Sequence, residues 1–94
     1  MGSFIEADEA LVLIEREIIA DSRNWEAWAA KADILCNIEM YKSAICCCDR
    51  SLELNSDNPL ALITKGISLN KIGKLEEANV ALAKAKFLTQ KEKF

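Results

Sequence analysis

A period of 34 residues runs through the 94-residue chain and limits its possible folds more than any other feature. Ala27, Lys31, Leu35, Ile38, Ala44 and Leu54 return one period later as Ala61, Lys65, Leu69, Ile72, Ala78 and Leu88. Trp28, Ala32, Tyr41 and Cys48 are answered by Leu62, Gly66, Leu75 and Leu82, so small positions stay small and bulky apolar positions stay bulky. Ala10 and Ile14 stand one period before Ala44 and Cys48, which extends the pattern backwards. The chain therefore reads as one domain holding half a repeat, 4–24, and whole repeats 25–58 and 59–92. Repeats of about 20 to 50 residues built from helix pairs indicate a solenoid, in which each pair buries its apolar face only by stacking on its neighbours.

Apolar spacing and turn chemistry predict an all-α chain of about five helices, starting with one from Phe4 to Asp21. Asn24 is placed to cap a second helix, Trp25 to Asn37, because its short side-chain carbonyl can accept from the free N–H groups of the first turn. A corner at Glu39-Met40 leads into a third helix, Tyr41 to Leu54. The polar run 55–58 ends in Asn58 as a cap and Pro59 at the first helical position, where the missing N–H costs nothing. A fourth helix then runs to Lys71, Gly73 breaks it, and a fifth spans Leu75 to Gln90.

The spacing and the residues Leu62, Gly66, Leu69, Gly73, Leu75, Ala78, Leu82 and Ala85 resemble the tetratricopeptide-repeat family. The first copy matches it through Trp28, Ala32, Leu35, Tyr41, Ala44, Cys48 and Ser51, with Glu39 where the family prefers Gly and Ser56 where it prefers Pro. The resemblance covers about nine-tenths of the chain and implies antiparallel helical hairpins stacked as a right-handed superhelix. It fixes a fold more firmly than a function.

Chemistry is hard to assemble from these residues. The chain has no His, so the commonest general base and any Cys-His pair are missing, and no nucleophile-base constellation points to an enzyme. Cys46, Cys47 and Cys48 are adjacent in a helix and splay apart, so they cannot close a tetrahedral site, and Cys36 adds no C-x-x-C spacing. They are read as compact core residues in a reducing compartment, with no metal and no cofactor. The net charge of −3 argues against nucleic acid as a partner, for which a basic stripe is the usual footprint. No apolar stretch approaches a membrane span, since Glu15, Arg16 and Glu17 interrupt the most apolar window; the expectation is a soluble, cytoplasmic protein with no membrane partner. Residues 1–50 carry ten acidic and five basic side chains, whereas 51–94 carry five and seven, so the N-terminal part is acidic and the C-terminal part mildly basic.

The resemblance implies a groove lined by the first helix of each repeat, receiving a protein or peptide partner. The positions concerned are Glu26, Ala29, Asp33, Cys36 and Asn37 on the second helix, and Ile63, Ile67, Asn70 and Lys71 with Leu60 on the fourth. This is an acidic and amide patch beside an apolar one, suited to a ligand with a basic residue next to aliphatic ones. One subset of the family clamps acidic chaperone C-termini with Lys, Asn and Arg here. Ala29 and Asp33 replace the first two, and Asp33 would repel a carboxylate.

A competing expectation is structural. The first helix is apolar almost all round, so it needs cover on two sides, and in register it is the second half of a repeat. Val80, Leu82, Phe87 and Leu88 of the fifth helix are read as the place where a following helix would dock. Leu11, Ile14, Ile18 and Phe87 are the candidates for a homo-oligomer contact made by these apolar ends, the equal alternative being that the rest of a longer protein covers them.

Overall fold

Helix boundaries follow the turn chemistry closely in a computed structural model, which describes residues 2–91 and the side chains of 7–90. The elements are α1 (Gly2–Ala20), α2 (Trp25–Asn37), α3 (Tyr41–Leu54), α4 (Pro59–Lys71) and α5 (Leu75–Lys91). Three of the five have the expected ends; α1 starts and stops slightly earlier than expected and α5 runs one residue further. The last residue of the second whole repeat, Glu92, lies outside the described residues, as does the basic Lys93. Among the described residues no helix is long and apolar enough to cross a membrane.

Asn24 caps α2 by accepting from the Ala27 N–H at 3.1 Å, and Asn58 caps α4 by accepting from Leu60 N–H at 3.1 Å. Both first helices end the same way. Glu39 (φ 66°) and Gly73 (φ 87°) take the left-handed conformation one period apart, and the next N–H groups, Met40 and Lys74, donate to Leu35 and Leu69 carbonyls at 2.8 and 2.9 Å. This closes the carbonyls that a helix C-terminus leaves free. Only at Gly73 does the residue suit the geometry without a steric cost.

Consecutive helices pack as antiparallel hairpins, and α2 also lies against α4. The first hairpin buries Ala32, Leu35, Ala44, Cys47 and Cys48, with Leu11, Trp28, Cys36 and Ile38 packed around them. The second hairpin buries Leu62, Leu69, Ala78, Ala81 and Ala85. Small residues, Ala and Cys in the first hairpin and Ala in the second, dominate both lists because helix backbones at these crossings come close. Gly66 marks a close approach: a Cβ there would stand 2.5 Å from Leu82 Cγ and 3.3 Å from the Ala78 carbonyl oxygen.

A buried polar link ties the hairpins. Fully buried Ser51 donates to the Trp25 carbonyl at 2.7 Å and accepts from Asn58 Nδ2 at 3.0 Å. A single hydroxyl so joins the start of α2, the body of α3 and the cap of α4.

Candidate peptide-binding face

The proposed groove positions fall into pairs one period apart: Glu26 with Leu60, Ala29 with Ile63, Asp33 with Ile67, Cys36 with Asn70, and Asn37 with Lys71. Because α2 and α4 pack side by side, these pairs share one face of the molecule. Glu26, Asp33 and Asn37 are exposed on α2, and Asn70 and Lys71 on α4. Between them Leu60, Ile63 and Ile67 are 46, 38 and 42% exposed, an unusual concentration of half-open aliphatic side chains.

Two positions depart from the expectation. Ala29 is only 1% exposed, so it offers no contact surface. The reason is that α2 has α4 beside it, whereas α4 has no further helix beside it among the described residues, leaving the counterpart Ile63 open. Cys36 is half-buried against the core of the first hairpin and contributes an edge at most. The face is therefore carried by Glu26, Asp33 and Asn37 on one helix and by Leu60, Ile63, Ile67, Asn70 and Lys71 on the other.

Its electrostatics are simple. The described ion pairs are Lys31–Glu15 at 3.2 Å, Arg50–Glu53 at 3.0 Å and Lys65–Asp49 at 2.7 Å. Neither Glu26 nor Asp33 takes part in them, so both carboxylates are free to meet a cation. Two of those pairs are 34-residue copies of each other, since Glu15 precedes Asp49 and Lys31 precedes Lys65 by one period. The charged positions thus follow the same register as the apolar ones and are visible in the sequence. A cleft of about 430 Å³ lined by Lys42, Ile45, Asp49, Lys65 and Leu69 is built around the second pair and includes none of the groove residues.

Two of the thiols sit in the core as compact apolar groups, but Cys46, expected there too, does not, because it lies on the outer face of α3 in the register of the exposed Val12 and Val80. Cys48 is fully buried and Cys47 nearly so, while Cys46 is exposed. Burial pushes the Cys48 thiol up to about 12, helped by the neighbouring Asp49, and raises that of Cys47 as well. Thiols held protonated are neither nucleophiles nor metal ligands. Among the described residues no group of His, Cys, Asp or Glu is placed to hold a metal ion.

The terminal helices differ from the sequence reading. Leu11, Ile14 and Ile18 are half-buried, and Leu11 packs on the first-hairpin core. They occupy the registers of Ile45, Cys48 and Leu52, on the side of the ion-pairing Glu15 and Asp49 that meets the following helix. The apolar surface that α1 leaves open is instead Val12, Leu13 and Ile19, at 52, 60 and 84%. On α5, Phe87 is 65% and Val80 72% exposed, but Leu82 turns inward over Gly66 and Leu88 is half-buried. These four do not form one docking face, because Leu82 belongs to the close crossing within the hairpin.

No family sequence model matches the chain, and no curated protein matches it. Solved structures do. The second TPR domain of Spaghetti (RPAP3), bound to the HSP90 peptide SRMEEVD, superposes with a TM-score of 0.85 at 27% identity, over 93% of this chain and 82% of that one. The MamA structure MSR-1 C2 superposes with a TM-score of 0.82 at 22% identity; it too is covered by 93% of this chain, which spans 50% of the MamA chain.

Proposed function

The chain has the tetratricopeptide-repeat fold, and from that premise we propose a non-catalytic protein-interaction module whose α2–α4 face receives a peptide segment. The observation that carries this reading is the pairing of Asp33 with Ile67: an exposed, unpaired carboxylate on one helix and a half-exposed aliphatic side chain at the same register on its neighbour. A neighbour of the same fold was solved with a peptide bound, which supports peptide binding as a use of this architecture. The charge at this face supports a ligand of opposite character to that acidic peptide. Glu26 and Asp33 favour Lys or Arg, while Leu60, Ile63 and Ile67 favour aliphatic side chains spaced to reach them. Asn37 and Asn70 can hydrogen-bond the backbone of an extended segment, which gives affinity without sequence preference.

No group on this face suggests chemistry. The chain lacks His, and the thiols with raised pKa values lie in the core. A peptide array presenting short segments of graded charge tests the reading. Segments with a basic residue beside aliphatic ones should be retained by the native protein and lost by the Asp33→Lys, Ile67→Asp double variant. Retention by that variant at undiminished strength would rule the face out.

A further inference from the structure

We propose that the outer stripe of α5, formed by Val80, Lys84 and Phe87, seats in an open slot beside α1 of a second copy, joining copies head to tail. The slot is the α2–α3 interface continued by one period. Within that interface Ala44 and Cys47 of α3 are 0 and 6% exposed, whereas their α1 counterparts are a half-buried Ala10 and a Leu13 that is 60% exposed. The same deficit shows on α2. Ala30 and Ile34 are half-buried, while their α4 counterparts Thr64 and Ser68 are 3 and 0% exposed. Among the described residues all these registers lack cover on one side, and what covers them one period later is a helix.

Charge selects the occupant. In sequence α1 carries Glu6, Asp8, Glu9, Glu15 and Glu17 against Arg16 alone, so a second α1 would be repelled. Beyond Glu77 every charged residue of α5 is a lysine. Val80 and Phe87 are 72 and 65% exposed, and Lys84 lies between them at helical spacing, so the stripe pairs apolar contacts with a cation. Glu17 stands in the register of Ser51, which is buried under the first turn of α2, and therefore faces the occupant of the slot. It is the partner for Lys84 of the incoming copy. Because each copy gives a different face, the contact is heterologous and does not close at two subunits. It is independent of the α2–α4 groove.

Sedimentation of the native protein and of Leu13→Glu and Phe87→Glu variants tests the proposal. The native average mass should climb with concentration and fall back in high salt. Each variant alone should be monomeric with unchanged helix content, and an equimolar mixture should form a species of twice the monomer mass and stop there. As an independent check, Glu17→Lys and Lys84→Glu should each weaken association about tenfold and restore it when combined. A native protein that stays monomeric into the high micromolar range overturns the proposal. So does a folded variant pair that fails to combine, or a charge swap without rescue.

Discussion

The Lys65 ammonium lies 2.7 Å from the Asp49 carboxylate, joining α4 to α3 in the same register in which Lys31 joins α2 to Glu15 of α1 at 3.2 Å. The repeat therefore carries a charge contact as well as an apolar one across the α1–α2 and α3–α4 boundaries, where one repeat meets the next. Both partners are partly exposed, Lys65 at 29% and Asp49 at 49%, which limits the strength of the pair. Asp49→Asn should lower stability by no more than about 1 kcal/mol, and the loss should shrink in salt. Urea unfolding at low and high ionic strength reads this directly.

Gly66 should be intolerant of size. A Cβ meets the branch carbon of Leu82 at 2.5 Å, so even Ala requires the Leu82 side chain or the α4–α5 crossing to shift, and its better helix propensity of about 1 kcal/mol should not recover the loss. Gly66→Leu should cost about 3 kcal/mol or more and lower the melting temperature markedly. An unchanged transition would contradict the packing described for the second hairpin.

Glu39 holds a left-handed conformation that Gly73 adopts without steric cost one period later. Glu39→Gly should therefore stabilise the chain by about 0.5 to 1 kcal/mol, since the relief of side-chain strain exceeds the added freedom of the unfolded chain. Thermal unfolding of the single variant checks the sign. The same substitution in a helix interior would have the opposite sign, so the result also tests whether the two helix ends are equivalent.

Alkaline pH should weaken the fold. The Cys48 thiol is raised from 9.0 to about 12 by burial, and Cys47 is shifted in the same direction. Above about pH 9 the unfolded chain loses these protons while the folded chain keeps them, so the unfolded state binds fewer protons and stability falls as pH rises. The stabilising contribution is complete below pH 9 and is lost on the way to about 12, with a slope that approaches about 1.4 kcal/mol per pH unit midway between the two values for Cys48. Denaturant midpoints between pH 8 and 10.5, compared with a Cys48→Ala variant, measure it. A variant with the same slope as the native protein would count against the burial of this thiol.

Local chemistry made most of the fold legible. Asn24, Asn58 and Pro59 mark helix starts by themselves, and Gly73 marks an end, because caps act within a single turn. Cys48 was identifiable as core from its partner Leu82 alone. What depends on which helix lies beside which was harder to read. Ala29 matched an open position by periodicity, yet α4 beside α2 leaves it buried. Leu11, Ile14 and Ile18 were assigned to the outside of α1, although their counterparts in α3 face the next helix. The face of α1 that lacks a neighbour is marked by Leu13, whose counterpart Cys47 is almost fully buried. In sequence Ser51 is only a match to the repeat pattern; its role in joining three segments is a matter of geometry that composition does not report.

The account turns on whether the α2–α4 face selects basic-aliphatic peptides, and a titration of peptide against the native protein, followed through Trp25 and Trp28 fluorescence or by calorimetry, tests it most directly. The probes are the acidic peptide SRMEEVD and a series of the same length in which Lys replaces the acidic residues and Leu or Ile flanks them. Members of the basic series should bind, should lose at least about tenfold in affinity with Asp33→Lys, Ile67→Asp, and should weaken with salt, while SRMEEVD should not bind measurably. Tighter binding of SRMEEVD than of every basic peptide, or binding that the double variant leaves untouched, would contradict it.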